Sequence, residues 1–258
     1  MGEVSGEPSV RIERDAGAAA QAAAESIAHA LRQAVEERGR ADWATTGGST
    51  PVAIYRALRV APLLDLVPWP AVHVWWGDDR FVPRDDPLSN VRPFDEELLD
   101  AVRLMPEHVH AMPMAEAIRA TAGPEAVASA YETELRGAAL ALGDDGFPIL
   151  DVALAGIGGD GHVLSVFPGS PLLDGSDWVS AVPAPTHIEP HVARVSLHPA
   201  ILAGARLPLV VAHGSGKAAI LASVLGPDRD ERRWPAQVAR RAGAVWFLDR
   251  DAAASLPR

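Results

Sequence analysis

From Asp15 to Arg38 the apolar positions Ile27, Leu31 and Val35 recur at helical spacing in an Ala-rich stretch that Gly39 closes, which predicts an amphipathic helix. Ala41 to Thr45 follows as a short apolar run, a predicted strand, and ends in the turn TGGSTP. There Thr50 is placed to cap a second helix and Pro51 to take its first position, ahead of VAIYRAL. The same order of apolar run and polar loop returns three times: Ala71 to Trp76 before GDDRFVP, Ile149 to Ala155 before GIGGDGH, and Leu207 to Ala212 before HGSGK and the helical AAILASVL. Asp95 to Val102 and Pro124 to Leu142 read as further helices, the second opened by Gly123 and Pro124 and ended by Gly143. Met1 to Ser9 reads as a frayed leader.

Apolar strands alternating with helices predict an α/β fold, a mainly parallel sheet with helices on both faces. In such sheets ligands bind beyond the carboxyl ends of the strands, where all four polar loops fall. The adjacent Trp75 and Trp76 must then point to opposite faces of the sheet. No linker or repeat divides the chain, so residues 10–258 are expected to form one domain.

Composition narrows the function. The 258 residues, 48% of them hydrophobic, are enough for a substantial core. With 34 acidic residues against 23 basic, a net charge of −11 and no run of Lys or Arg, the chain is unsuited to a nucleic-acid groove or an anionic membrane surface. An anionic ligand would need local positive charge. The absence of cysteine excludes disulfides and thiolate metal sites. The N-terminus lacks the basic and apolar regions of a secretion signal, and no apolar run approaches the roughly 20 residues needed to cross a bilayer, so a cytoplasmic protein is expected.

Gly156, Gly158 and Gly161 satisfy the spacing of a dinucleotide-binding loop. That loop needs a following helix of several turns and an acid about 20 residues on, whereas Pro168 and Gly169 arrive directly after VLSVF. The GSGK at Gly214 to Lys217 fails as a phosphate loop of the NTPase kind: Val211 occupies the first glycine position and Ala218 that of the magnesium-binding hydroxyl. What remains is an anion site assembled from several loops. Gly47, Gly48 and Ser49 can turn backbone N–H groups toward a phosphate ahead of a helix N-terminus, while Arg80 and Lys217 supply full charges. His162 is suited to proton transfer near neutrality, with Asp160 to orient it and Arg80 or a backbone N–H to face an oxyanion. These are the parts for hydrolysing an ester with water as nucleophile, and no G-x-S-x-G elbow offers a covalent route. His187, Glu189 and His191 lie in a Pro-rich stretch without a third histidine at helical spacing and read as a solvated loop, so no metal site is expected.

TGGSTP, WGDDRFVPRDDPLSN, LAGIGGDGHVLSVFPG and RVSLHPAIL, in this order and spacing, resemble the 6-phosphogluconolactonases, and HGSGKAAIL and WPAQVARRAGAVWFLD extend the likeness over nearly the whole chain. The resemblance implies a three-layer Rossmann-like fold shared with glucosamine-6-phosphate deaminases. It also implies hydrolysis of 6-phospho-D-glucono-1,5-lactone without a cofactor; a monomer or small homo-oligomer is expected. His162 falls on the family's general base. Arg80 and Lys217 fall on substrate-contacting positions, Gly47, Gly48 and Ser49 on the phosphate loop, Arg194 on a further anion-binding arginine, and Asp78 on the first acid of the G-D-E-R motif. Asp79 stands where the family has glutamate. The alternatives are a glucosamine-6-phosphate deaminase, whose loop runs on to an N-E-P segment that VLSVFPG does not match, and a non-catalytic phosphosugar-binding domain.

Overall fold

A computed structural model describes residues 6–257, apart from the side chain of Ser49. Seven strands form one all-parallel sheet: β1 (Ser9–Glu13), β2 (Ala41–Thr45), β3 (Val72–Trp76), β5 (Val109–His110), β6 (Val152–Ala155), β9 (Leu207–Ala212) and β10 (Val245–Asp249), in the order β1-β10-β9-β6-β2-β3-β5. A second, antiparallel sheet joins β4 (Asp78–Arg80), β8 (Arg194–Leu197) and β7 (Val179–Val182).

The central strands are apolar on both sides because helices cover both faces. One face, carrying Trp43, Val74, Trp76, Leu154, Val211 and Phe247, packs against α1 (Ala16–Arg38), α2 (Ser49–Leu58), α3 (Leu63–Leu66) and α4 (Arg92–Glu97). The other, carrying Ala44, Trp75, Ala155, Val210 and Trp246, packs against α5 (Met114–Arg119), α6 (Pro124–Gly137), α7 (Pro199–Gly204) and α8 (Ala218–Val224). Trp75 and Trp76 do face opposite sides, and both are wholly buried. α1 starts at an Asp15 cap, whose carboxylate accepts from Ala18 N, and ends at Gly39, whose φ of 75° is the left-handed geometry glycine tolerates best.

Several expected boundaries shift. The segment taken as a leader is partly structured: residues 1–5 lie outside the described residues, but Glu7 accepts hydrogen bonds from Arg229 and Arg240, and Ser9 pairs with Val245 on the edge of the sheet. Gly48, not Thr50, is the cap of α2, so Pro51 sits within the first turn, where its missing N–H leaves no gap in the ladder. The helix expected over 95–102 is α4, begun earlier around Pro93, followed by a 3₁₀ turn over Leu99–Ala101. That expected over 124–142 stops at Gly137. Asp78–Arg80 of GDDR is a strand rather than a free loop. Among the described residues no helix is long and apolar enough to cross a membrane.

Away from the loops, His73 of β3 stacks on His108 at 3.7 Å between centroids, and its Nδ1 donates to His110 Nε2 at 2.9 Å. His110 Nδ1 in turn donates to Glu134 at 2.6 Å. Burial, reinforced by the nearby Arg40, pushes the His73 pKa down to about 4. A histidine neutral when folded but free to protonate when unfolded stabilises the protein above its ordinary value near 6.5 and loses that contribution as pH falls toward 4. His73→Gln is therefore expected to flatten the decline in stability between pH 6.5 and 4 relative to wild type, measured by urea denaturation at each pH. Parallel curves for the two proteins would contradict it.

Candidate active site

Chain order places the site. From β2 the chain proceeds through β3 and β5 toward one edge of the sheet, and from β6 through β9 and β10 toward the other. The direction reverses between β2 and β6, the point at which open parallel sheets hold their ligands. The four loops found in the sequence leave β9, β6, β2 and β3, which are neighbours, and together wall a cavity of about 300 Å³. Gly47, Gly48, Asp78, Arg80, Gly158, His162, Arg194 and Lys217 all reach it. The Ser49 side chain lies outside the described residues. A larger hollow of about 840 Å³ lies at the opposite ends of the strands, beside Arg206 and Val245, and has none of these loops.

The loop after β6 is built around His162. Gly158 N donates to the His162 carbonyl and Gly161 N to the Gly158 carbonyl, closing a tight turn in which Gly161 has φ of 88°. A Cβ on Gly158 would stand 2.0 Å from His162 Nδ1, so the ring can occupy its place only over a glycine. Asp160 Oδ1 accepts from both His162 N (3.1 Å) and His162 Nδ1 (2.6 Å), which puts the ring proton on Nδ1 and leaves Nε2 with its lone pair. Burial opposes the charge of Asp160, but hydrogen bonds from His162 and His187 outweigh it and hold this carboxyl well below the usual carboxylate range. The glycines that match a dinucleotide fingerprint thus serve a histidine turn, and no helix follows them.

Positive charge comes from the junction of the two sheets. Arg80 of β4 and Arg194 of β8 are direct cross-strand partners, an arrangement that repels. Arg194 is 3% exposed, and the only hydrogen bond its guanidinium makes among the described residues is a long one, 3.4 Å, to the Pro190 carbonyl; burial lowers its pKa and Arg80 lowers it further. The Nε atoms of Arg80 and Arg194 are both buried without a partner. From the other side Lys217, at the start of α8, donates from Nζ to the Ile157 carbonyl at 2.7 Å, and burial lowers its pKa too.

Asp78 turns one oxygen to Asn90 Nδ2 (3.2 Å) and the other to Ser165 Oγ (2.6 Å), so it braces the loops. Asp79 points away from the cavity: it accepts from Arg80 N at 2.7 Å and Asn90 N at 2.6 Å, and burial pushes its pKa up to about 7. A side chain one methylene longer is not needed for that task. His198 caps α7 by accepting from Ala200 N. Three residues of the site have no role assigned to them from the sequence. Asn90 packs its amide where a Cβ on Gly47 would stand, Ser165 binds Asp78, and His187 donates from Nε2 to Asp160 Oδ2 at 2.9 Å. The stretch read as a solvated loop is therefore half right: His187 is half-exposed but bound to the site. Among the described residues no cluster has the geometry of a metal site.

Residues 14–247 match the family of glucosamine-6-phosphate isomerases and 6-phosphogluconolactonases. The chain belongs to this family. Within it, the 6-phosphogluconolactonase of Streptomyces coelicolor is 36% identical over 99% of this chain and 97% of its own. Among solved structures, the 6-phosphogluconolactonase of Trypanosoma brucei superposes with a TM-score of 0.84 at 26% identity, covering 97% of this chain and 99% of that one. A monomeric glucosamine-6-phosphate deaminase shares the fold, with a TM-score of 0.79 over 96% of this chain and 99% of its own at 18% identity. The expected α/β class, a three-layer Rossmann-like arrangement common to lactonases and deaminases of this family, is the one observed.

Proposed function

We propose that this chain is a 6-phosphogluconolactonase, hydrolysing 6-phospho-D-glucono-1,5-lactone to 6-phospho-D-gluconate in the oxidative pentose phosphate pathway, with residues 10–258 acting as one catalytic domain. The observation that carries the reading is the meeting, in one cavity, of a histidine with a free Nε2 and two opposed arginines whose buried Nε atoms lack partners. Unsatisfied buried guanidinium donors stabilise an anion strongly, and a phosphorylated sugar supplies one. In the proposed reaction His162 Nε2 takes a proton from water as its oxygen bonds to C1 of the lactone. The carbonyl oxygen becomes an oxyanion facing Arg80 or the backbone N–H groups of the glycine loops. The bond from C1 to the ring oxygen then breaks, His162 returns the proton to that oxygen, and the new carboxylic acid loses its proton to solvent. Asp160 fixes the tautomer throughout, and Gly47, Gly48 and Ser49, with Arg194 and Lys217, hold the phosphate.

The amine chemistry of the deaminases calls for a further carboxyl group. Among the described residues Asp78 is the one carboxylate lining the cavity, and both its oxygens are engaged. The test is direct: lactone generated in place by glucose-6-phosphate dehydrogenase, with acid release followed by pH-stat. Hydrolysis well above the spontaneous rate is expected, and the spontaneous rate alone would refute the reading. Lys217→Ala is expected to raise KM by about 10-fold with kcat nearly unchanged, as for a contact made equally in ground and transition states. A fall in kcat at constant KM would move Lys217 to the reacting atoms instead.

A further inference from the structure

We propose that His187 is a positioning residue for the reaction, holding the outer oxygen of Asp160 so that the inner oxygen stays on His162. The inference rests on His162 acting as the base.

The geometry is a chain of three side chains. His187 Nε2 lies 2.9 Å from Asp160 Oδ2, and Asp160 Oδ1 lies 2.6 Å from His162 Nδ1, so the two oxygens of one carboxylate are each claimed by one imidazole. Since a carboxylate only accepts, His187 must carry its proton on Nε2. Phe167 fills the space between the two rings, tilted against His162 at 4.8 Å and edge-on to His187 at 5.5 Å, and is itself 8% exposed. Neither ring can swing away without disturbing that contact.

His187 comes from the connection between β7 and β8, which is fixed on both sides of it. His191 Nδ1 donates to the Pro185 carbonyl at 2.7 Å and Val192 N to that of Pro190 at 2.9 Å, while Ile188 lines the cavity. The same connection runs into Arg194. His187 therefore ties the wall that leads to the anion-binding arginine to the aspartate that orients the base.

A second donor on Asp160 spreads its negative charge and weakens its pull on a protonated His162. Without His187 the carboxylate is a stronger partner for the charged ring, and His162 keeps its proton to higher pH. The other charges near the dyad are Arg194 and Lys217, which act on Asp160, and Arg80 and Asp78, which act on Arg194; Glu189 and His191 are the titratable neighbours within the loop itself.

The test compares wild type, His187→Ala and His187→Gln, whose amide can still donate. Two readouts are taken: the pH profile of kcat/KM for the lactone, and the 15N NMR titration of the His162 ring, which needs no substrate. In His187→Ala the acid limb of the profile should move to higher pH by about 0.5–1, a roughly 3- to 10-fold loss below the limb, with the plateau nearly kept. The His162 ring titration should move with it, and His187→Gln should restore most of both. An unmoved limb and unchanged ring signals in His187→Ala would overturn the proposal, as would a lowered plateau with the limb in place, the mark of a loop that is merely structural. Should wild type lack lactonase activity, the functional reading fails while the ring titration still decides the role of His187.

Discussion

Replacing His162 by Ala is expected to lower kcat by about 10²- to 10⁴-fold while KM stays within a few-fold of wild type, the pattern of a lost general base. The argument begins with what the substitution leaves intact. The turn carrying His162 is closed by backbone bonds, Gly158 N to the His162 carbonyl and Gly161 N to the Gly158 carbonyl, and neither involves the ring. The cations that would hold the substrate come from other elements: Arg194 from β8, Arg80 from β4 and Lys217 from the start of α8. Binding should survive, and what disappears is the one nitrogen with a free lone pair in the cavity's glycine loop, together with the partner that holds Asp160 Oδ1. Steady-state kinetics by pH-stat checks this, with circular dichroism to establish that the variant is folded. Full turnover in a folded His162→Ala protein would place the base elsewhere. Since spontaneous hydrolysis of the lactone is itself measurable, the comparison must be of enzyme-dependent rates.

The sequence made the parallel sheet and its ligand-binding end visible because both follow from local patterns: apolar runs of five to seven residues, each ending in glycine and polar residues. The dyad of Asp160 and His162 was legible for the same reason, since a two-residue separation across a glycine turn is local information. The parts that were not legible depend on distant pairing. That Arg80 and Arg194 oppose each other follows from the antiparallel register of β4 with β8, two strands 114 positions apart at those arginines, and nothing in GDDR by itself distinguishes a three-residue strand from a loop. His187 reaches Asp160 across 27 positions from a Pro-rich connection whose composition reads as solvated. Asn90 could be quoted within a motif, yet its task, packing its amide against Gly47 and donating to Asp78, appears only in three dimensions. Boundaries failed where proline or glycine allowed more than one ending, as at Pro51 and Gly137.

Arg194→Met is expected to raise KM for the lactone by about 10- to 100-fold, with a smaller change in kcat. Methionine keeps the apolar stem that packs beside Phe167, whose ring lies 5.2 Å from the guanidinium, and removes only the charge and its donors. Hydrogen bonds to charged groups contribute about 1.5–3 kcal/mol each, the range that this change in KM expresses. Arg194 is the cation for which the effect should be largest. It is the most buried of the three, it faces Arg80 directly, and its long bond to the Pro190 carbonyl leaves its other donors for a ligand. A guanidinium in that position gains more from an arriving phosphate than an exposed one does, because water stabilises it so little beforehand. Arg194→Lys should fall between wild type and Arg194→Met, since an ammonium keeps the charge without the planar fork. The second measurement is the rise in Tm produced by 6-phosphogluconate, which should be large for wild type and nearly absent for Arg194→Met. An unchanged KM together with an undiminished ligand-dependent Tm would show that the phosphate lies elsewhere, and the opposed arginines would then need another counter-ion.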